Sequence, residues 1–472
     1  KLEKSFILKE KSLDIIGRCI AMLIKINIEN FKSFDQATEL TMISSNKIRT
    51  NAGHRLKIKS TQLLKYGVVY GANASGKTNL TEFFRFFKEC VRTGIPMDAV
   101  QMFCKNREEN KDRKSSFEIQ MTVGDKFYAY GFSAILSKRK ITEEWLYELY
   151  QNGTARCLFE REGNKRPILD PSITLTNTER NKFEIYADDF EGNENSLFLT
   201  EMNRGKKYTS RTKLMFFRDV FDWIQNHISV ITPNIPLIDL EYYYDDDSLK
   251  LINQLIETFD TGINQVKIEE ITLDELENAL PKPVFDRVMS HVKGKLSEQD
   301  EPFFRMTMRS NESFFNIQVE GHNEPKVTTI RLHHSRSFFD FGFEEESDGT
   351  RRLFDLMDML LNKRDDVLYV VDELERSLHP KLTARFLELF MELHKEDRMQ
   401  LLFTTHESAI MDQSIFRRDE IWFVERDAEN ASTLYSLDRF KERYDKVLSK
   451  AYLEGRYGAI PVFSSFHFRE EE

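Results

Sequence analysis

Two short runs are apolar without alternation, Tyr66-Gly67-Val68-Val69-Tyr70 and Val367-Leu368-Tyr369-Val370-Val371. Strands of that length and pattern are covered on both faces. Elsewhere the apolar positions follow a period. Leu23 to Ile28 largely alternates, and Thr38 to Ile43 can add a second strand. Ser116 to Thr122, Lys126 to Ile135, Glu143 to Tyr150 and Arg156 to Arg161 read as consecutive antiparallel strands, with turn signals at Gly124-Asp125 and Asn152-Gly153. Further strands are expected over Phe314–Val319, Lys326–Leu332, Met399–Thr405, Glu420–Glu425 and Thr433–Leu437. The helical period covers Asn79 to Arg92, Phe216 to His227, Asp247 to Phe259, Leu273 to Leu296 (broken by Pro281 and Pro283) and Lys381 to His394. Leu353, Phe354, Leu356, Met357, Leu360 and Leu361 mark another helix, with Ser347 or Asp348 as its N-cap. Asp438 to Lys450 is expected to form a short charged helix.

This mixture predicts an α/β fold with an antiparallel β subdomain and a compact, mostly helical insert. Four segments are expected. Residues 1–21 are patternless and read as an artificial or disordered extension before a natural start at Met22. Residues 22–200 form a first lobe, 201–310 the insert and 311–472 a second lobe. The broken helices of the insert lack the sustained heptads of a coiled-coil arm.

The chemistry begins where the first apolar run ends. Gly71-Ala72-Asn73-Ala74-Ser75-Gly76-Lys77-Thr78 fits G-x-x-x-x-G-K-[ST], the phosphate-binding P-loop. A strand, a glycine-bearing loop and a helix N-terminus aim backbone N–H groups and a positive dipole end at one point. Gly71, Asn73, Ser75, Gly76, Lys77, Thr78 and Asn79 are the candidate nucleotide contacts. Lys77 would reach the β- and γ-phosphates of ATP, and the Thr78 hydroxyl would hold Mg²⁺. The second run ends in Asp372-Glu373, a Walker B element. Asp372 can take Mg²⁺-bound water, and Glu373 can act as general base on an attacking water.

Ile28-x-x-Phe31-Lys32-Ser33-Phe34 ahead of the P-loop resembles the RecF/SMC/OLD branch of ABC-type ATPases. The resemblance implies an ABC-type ATPase head with the Asn30–Phe34 turn near the nucleotide. It implies that Ser347 and Gly349 are a signature Ser-x-Gly touching the γ-phosphate held by a second protomer, so that ATP pairs heads into a homo-oligomer. Leu374 to Pro380 matches the D-E-x-x-x-x-L-H-P run of OLD-like ATPases, and His406, closing a T-T-H strand end, matches the histidine that senses γ-phosphate. The Q-loop position, Asn195 to Asn203, holds no Gln; Glu201, Asn203 or water is left to complete the metal shell.

Tyr452 to Pro461 reads by itself as a surface tail with turn glycines. It also resembles the ending of ATPase subunits of bacterial anti-phage systems, the RloA type and the AriA subunit of PARIS. Full-length OLD proteins carry a Toprim nuclease after the ATPase. Here Glu425-Arg426-Asp427 fits a solvated turn better than a metal site, so no nuclease site is expected on this chain. The resemblance therefore implies an ATPase that senses a DNA or phage-protein trigger and regulates a separate Toprim-like nuclease or toxin. The alternative is a RecF-like DNA-repair clamp. A transporter ATPase is disfavoured by the large insert and the absence of L-S-G-G-Q, and a scaffold that scarcely turns over remains a fourth reading.

Composition narrows this modestly. The 472 residues carry a net charge of -10, so no global basic field points to nucleic acid. Two local stretches do run basic. One spans Lys47, Arg49, Arg55, Lys57, Lys59 and Lys65; the other spans Arg204, Lys206, Lys207, Arg211, Lys213 and Arg218. The first is either a solvated loop or a phosphate contact; the second is either a solvated helix face or a contact for nucleic acid or an acidic partner. Cys19, Cys90, Cys104 and Cys157 form no C-x-x-C pair, which favours a reducing cytoplasm over disulfide or zinc scaffolding. No apolar run approaches the length of a membrane span.

Overall fold

Both unalternating apolar strands lie inside one largely parallel sheet. Its order is Ile228–Ile231, Leu368–Val371, Gln400–Thr405, Tyr66–Tyr70, Ile421–Arg426 and Ser432–Ser436. Neighbours are parallel up to Ile421–Arg426, and Ser432–Ser436 closes the edge antiparallel. The computed structural model of the chain describes residues 21–209, 211–232, 246–296, 303–309, 314–320, 323–362, 364, 366–440 and 447–461. The expected extension thus lies, apart from Ala21, outside the described residues, as does much of the expected helix over 438–450, of which Leu448–Leu453 is seen.

Successive strand residues point to opposite faces, and these strands divide accordingly between two cores. Val69, Leu368, Val370 and Leu402 join the core around the helix Lys77–Thr93. Val68, Tyr369, Val371, Leu401 and Phe403 join a second core with the helices Asp348–Leu361 and Pro380–Leu393. The unalternating pattern is therefore a consequence of helices on both sides.

A seven-stranded antiparallel sheet covers the Lys77–Thr93 helix from its other side. Its order is Ile168–Leu169, Ala155–Glu162, Lys140–Leu149, Lys126–Ile135, Ser115–Val123, Ala21–Glu29 and Thr38–Thr41. Phe83, Phe84, Phe86 and Phe87 of the helix are all buried between the sheets. Phe86 packs on Phe31 and Phe117 at ring separations of 5.2 and 5.1 Å, and Phe87 on Phe132 at 5.5 Å. Cutting one of these to Ala costs about 3–5 kcal/mol. Gln400 bolts the sheets together: its amide donates to Leu23 O at 3.0 Å and Leu64 O at 2.9 Å and accepts from Leu23 N at 2.6 Å.

The insert differs from expectation in its strands. Helices make up most of the described residues between 201 and 310, but Ile228–Ile231 is an edge of the ATPase sheet, paired with Leu368–Val371. A third, antiparallel sheet runs Ile263–Ile271, Lys326–His334, Phe314–Glu320, Phe303–Arg309, with Phe341–Gly342 on Lys326–His334. The boundary expected at 310 cuts its Phe303–Arg309/Phe314–Glu320 hairpin. The strands over 314–332 belong to this sheet because Ile317, Val319 and Val327 pack on Leu276, Val288 and Val292 of the insert helices Leu273–Ala279 and Lys282–Leu296.

The C-terminal run is a packed cap and no surface tail. Tyr457 is buried, stacks on Phe423 at 5.7 Å, and its carbonyl accepts from the Tyr435 hydroxyl at 2.7 Å. At Gly458 φ is 69°, and a Cβ would lie 2.7 Å from both Glu425 Oε2 and the Tyr435 hydroxyl.

Candidate functional site

The buried strand Tyr66–Tyr70 delivers the chain to Gly71, and the helix starts at Lys77. The loop between them has no room for side chains at its glycines. A Cβ on Gly71 would lie 2.5 Å from Val424 O; one on Gly76, where φ is 112°, would lie 2.7 Å from Ser33 Oγ and closer still to Ser432 Oγ. Asn73 and Ala74 form the exposed tip. Lys77 is buried and donates to Gly71 O at 2.7 Å and Ala72 O at 3.0 Å. Its ammonium is curled into the loop, the two carbonyls standing where phosphate oxygens would compete. Burial lowers the Lys77 pKa, and the negative charges of Glu375, Glu373 and Asp372 oppose that fall. Ser75 Oγ is buried with no hydrogen-bond partner. A loop that excludes side chains, with a buried cation and a spare hydroxyl, fits a phosphate.

Behind the loop runs a chain of polar links. Asn79 Nδ2 donates to Ser33 Oγ at 2.7 Å, Ser33 Oγ lies 2.7 Å from Ser432 Oγ, and Ser432 Oγ donates to Ser75 O at 2.6 Å. Ser432 N also donates to Ser33 O at 2.7 Å. The Asn30–Phe34 turn and the last hairpin therefore brace the P-loop from behind, and the Asn79 amide is engaged in that brace.

Asp372 follows the strand Leu368–Val371 and is buried. Its Oδ1 accepts from Thr404 Oγ1 at 2.7 Å, and its carboxylate also meets the Thr78 hydroxyl. Burial raises the Asp372 pKa, against the pull of those two hydroxyls. The structure thus brings Thr78 and Asp372 together, and a hydroxyl beside a buried carboxylate fits the oxygen set that Mg²⁺ prefers. Glu373 sits half-buried at φ 47°, a left-handed backbone uncommon for a residue other than glycine and enriched at active sites. Its N–H donates to Thr404 Oγ1 at 2.9 Å. One threonine hydroxyl therefore holds both Walker B acids in place.

His406 is half-exposed beyond the strand Gln400–Thr405. Its backbone N and its ring Nδ1 both lie on Glu375 Oε1, at 2.8 and 3.0 Å. With the proton on Nδ1 the ring donates there, and Nε2 is left over. In the sequence Glu375 stands inside the D-E-x-x-x-x-L-H-P run, and its only signal is that of a second acid two places beyond Glu373. Thr404 stood in the T-T-H strand end in the same way. Ser432 carried no signal.

Ser347 N-caps the helix Asp348–Leu361, its Oγ accepting from Thr350 N at 3.1 Å. A Cβ on Gly349 would lie 2.6 Å from Ser377 O, so glycine lets this helix meet the turn after Glu373. Arg352 donates to Glu373 O at 3.4 Å. Among the described residues no hydrogen bond joins Ser347 or Gly349 to the P-loop of the same chain.

The Q-loop position is carried elsewhere. Phe198–Asn203 is a short helix whose Thr200 hydroxyl donates to Val91 O at 2.7 Å, at the far end of the Lys77–Thr93 helix. At 1.5 Å per residue that is about 20 Å from Lys77. Asn203 donates inward to Leu199 O and Phe217 O at 2.9 and 3.1 Å, and Glu201 pairs with Lys206 at 2.6 Å. Neither supplies a ligand beside Asp372. The acids Glu425 and Asp427 serve the hairpin: Glu425 accepts from the Tyr435 hydroxyl at 2.8 Å, and Asp427 from Glu429 N and Ala431 N at 2.9 Å. In the first basic stretch Lys65 is buried and donates to Lys395 O at 2.6 Å, a structural role.

Residues 68–412 match the family described as "AAA domain, putative AbiEii toxin, Type IV TA system". The chain belongs to this AAA family. It is thus a P-loop ATPase of the AAA type, and its Walker residues lie within the matched span. Similar solved structures include an SMC head bound to the C-terminal winged-helix domain of ScpA, at 12% identity over 88% of this chain and 97% of that one, TM-score 0.35. Another is the SMC head domain from Thermotoga maritima, at 13% identity over 88% and 98%, TM-score 0.31. No curated protein matches the chain.

Proposed function

We propose that this AAA protein hydrolyses ATP, pairs its heads when ATP is bound, and thereby regulates a separate effector, a Toprim-like nuclease or toxin, in prokaryotic anti-phage defence. The observation that carries the catalytic part is the meeting of the Thr78 hydroxyl with the buried Asp372 carboxylate, while one Thr404 hydroxyl holds both Asp372 and the backbone of Glu373. Gly71 to Thr78 bind the phosphates through backbone N–H groups, and Lys77 leaves its two loop carbonyls for them. Thr78 and Asp372 would hold Mg²⁺, which when bound neutralises charge on the β- and γ-phosphates. Glu373 takes the proton of the attacking water. His406, held by Glu375, reads the presence of the γ-phosphate. Ser347 and the N–H groups beside Gly349 meet the nucleotide of a second copy, since they have no bond to their own P-loop.

Three described cysteines, Cys90, Cys104 and Cys157, are free thiols, in keeping with a cytoplasmic setting. Among the described residues no helix is long and apolar enough to cross a membrane.

The test is ATP turnover and mass by light scattering, for wild type and Glu373→Gln, co-expressed with the neighbouring gene. Turnover lost in Glu373→Gln, an ATP-bound dimer that persists in it, and a co-eluting second protein are expected. Turnover stimulated by DNA with no partner would instead establish the repair-clamp reading, for which the basic run Arg204–Arg218 speaks. Turnover unchanged in Glu373→Gln removes the general-base role.

A further inference from the structure

The basic run Arg204–Arg218 has no place in the ATP site. Its first half closes a cavity of 610 Å³ against the helix Asn177–Phe190. That volume is in the range of small-molecule sites, about 300–1,000 Å³. Glu179, Lys182 and Tyr186 line it from successive turns of one helix face. Lys206, Lys207, Tyr208 and Arg211 line it from the opposite wall.

The one acid of the lining is already spent. Glu179 accepts from Thr212 Oγ1 at 2.7 Å, Thr176 N at 2.9 Å and Lys213 N at 2.9 Å. Those bonds, the Thr212 hydroxyl first, hold its carboxyl at about 2 and tie the basic run to the helix. Lys206 is shared between Glu201 at 2.6 Å and the face of Tyr186, 3.7 Å from the ring centre. The Tyr208 hydroxyl donates to Met202 O at 2.8 Å, which fixes that ring in the wall. Lys182, Lys207 and Arg211 have no acidic partner among the described residues.

A chain of net charge -10 thus gathers around one cavity two tyrosine rings and three cations that lack an acidic partner among the described residues. Cations placed beside aromatic faces suit a ligand that is anionic at one end and a flat ring at the other. We propose that this cavity binds a nucleotide phosphate, with Lys182, Lys207 and Arg211 on the phosphate and the tyrosine rings on the base. The nucleotide is either free or the phosphorylated end of a nucleic-acid strand. The site is distinct from the P-loop. The helix Phe198–Asn203 leads into it and is bonded to the far end of the Lys77–Thr93 helix, so that helix spans the distance between the two sites.

The test is titration calorimetry on the full chain with AMP and with a short oligothymidylate bearing a terminal phosphate. Binding is expected to persist in Lys77→Ala and to weaken about tenfold or more in Lys182→Glu/Arg211→Glu, with an unchanged melting temperature. Binding of AMP supports the free nucleotide as source; binding of the oligonucleotide alone supports a strand end. If the double reversal disturbs folding, Tyr186→Ala/Lys207→Gln takes its place, and loss of binding is again expected. Failure of both probes to bind the wild type overturns the proposal. So does binding that the cavity variants leave unchanged, or that Lys77→Ala abolishes.

Discussion

Glu375 holds His406 at two points, the backbone N at 2.8 Å and the ring Nδ1 at 3.0 Å, through a single carboxylate oxygen. Two donors on one acceptor fix both the end of the strand Gln400–Thr405 and the plane of the imidazole. Glu375 therefore acts as a positioning residue. Glu375→Gln keeps an acceptor of the same shape and removes its charge. The expected result is a fall in kcat of about tenfold with little change in KM for ATP. The double variant with His406→Ala should be no slower than His406→Ala, because the two act as a unit. Additive losses in steady-state kinetics would refute the linkage.

Thr404 is the shared support of the Walker B acids, donating to Asp372 Oδ1 and accepting from Glu373 N. Thr404→Val keeps the volume and removes both bonds, leaving a buried carboxylate and a buried N–H short of a partner. The expected cost is about 1–3 kcal/mol of stability. The magnesium concentration for half-maximal turnover should also rise, since Asp372 loses its fixed orientation. Thermal melting and a magnesium titration of the ATPase rate check the two effects separately.

Gly349 meets Ser377 O at a distance that leaves no room for a methyl group. Gly349→Ala must push the helix Asp348–Leu361 away from the turn after Glu373. Nucleotide binding to the P-loop, which shares no hydrogen bond with Gly349, should be retained. ATP-dependent pairing should weaken about tenfold or more, as expected for displaced contacts at an interface. Light scattering with ATP, alongside equilibrium binding of a fluorescent ATP analogue, separates the outcomes. Equal loss of both would mean that the substitution simply damages the fold.

Much of the site is legible in the sequence because phosphate binding imposes local rules. The P-loop needs its glycines, lysine and threonine at set spacing, and Walker B needs an apolar strand ending in acids. What the sequence hides is what the sheets bring together. Ser432 lies 357 residues from Ser75, to which it donates a hydrogen bond, and nothing near it marks the contact. Thr404 and Glu375 stand inside quoted motifs, yet their tasks depend on the parallel neighbours Leu368–Val371 and Gln400–Thr405. The boundary expected at 310 runs between two paired strands for a related reason. A period of two marks Phe314–Glu320 as a strand but does not say which sheet it joins; its register with Phe303–Arg309 does.

His227 closes the turn before the edge strand Ile228–Ile231, between two carboxylates. Its Nε2 lies 3.5 Å from Asp222 Oδ2, and its Nδ1 lies 2.9 Å from Asp366 Oδ2. Partial burial pulls its pKa down, but Asp222 and Asp366 outweigh burial and the opposing Arg364, and the ring titrates at about 9. In the unfolded chain the same ring titrates near about 6.5. The folded state therefore holds the proton more tightly. The stabilisation is fully present below pH about 6.5 and is lost as pH rises through about 9. After allowance for solvent screening it amounts to about 1–2 kcal/mol. Wild type should thus lose melting temperature between pH 6.5 and 9 more steeply than His227→Gln, which has no proton to release there. Parallel melting curves across that interval would show that the carboxylates do not hold a charged His227.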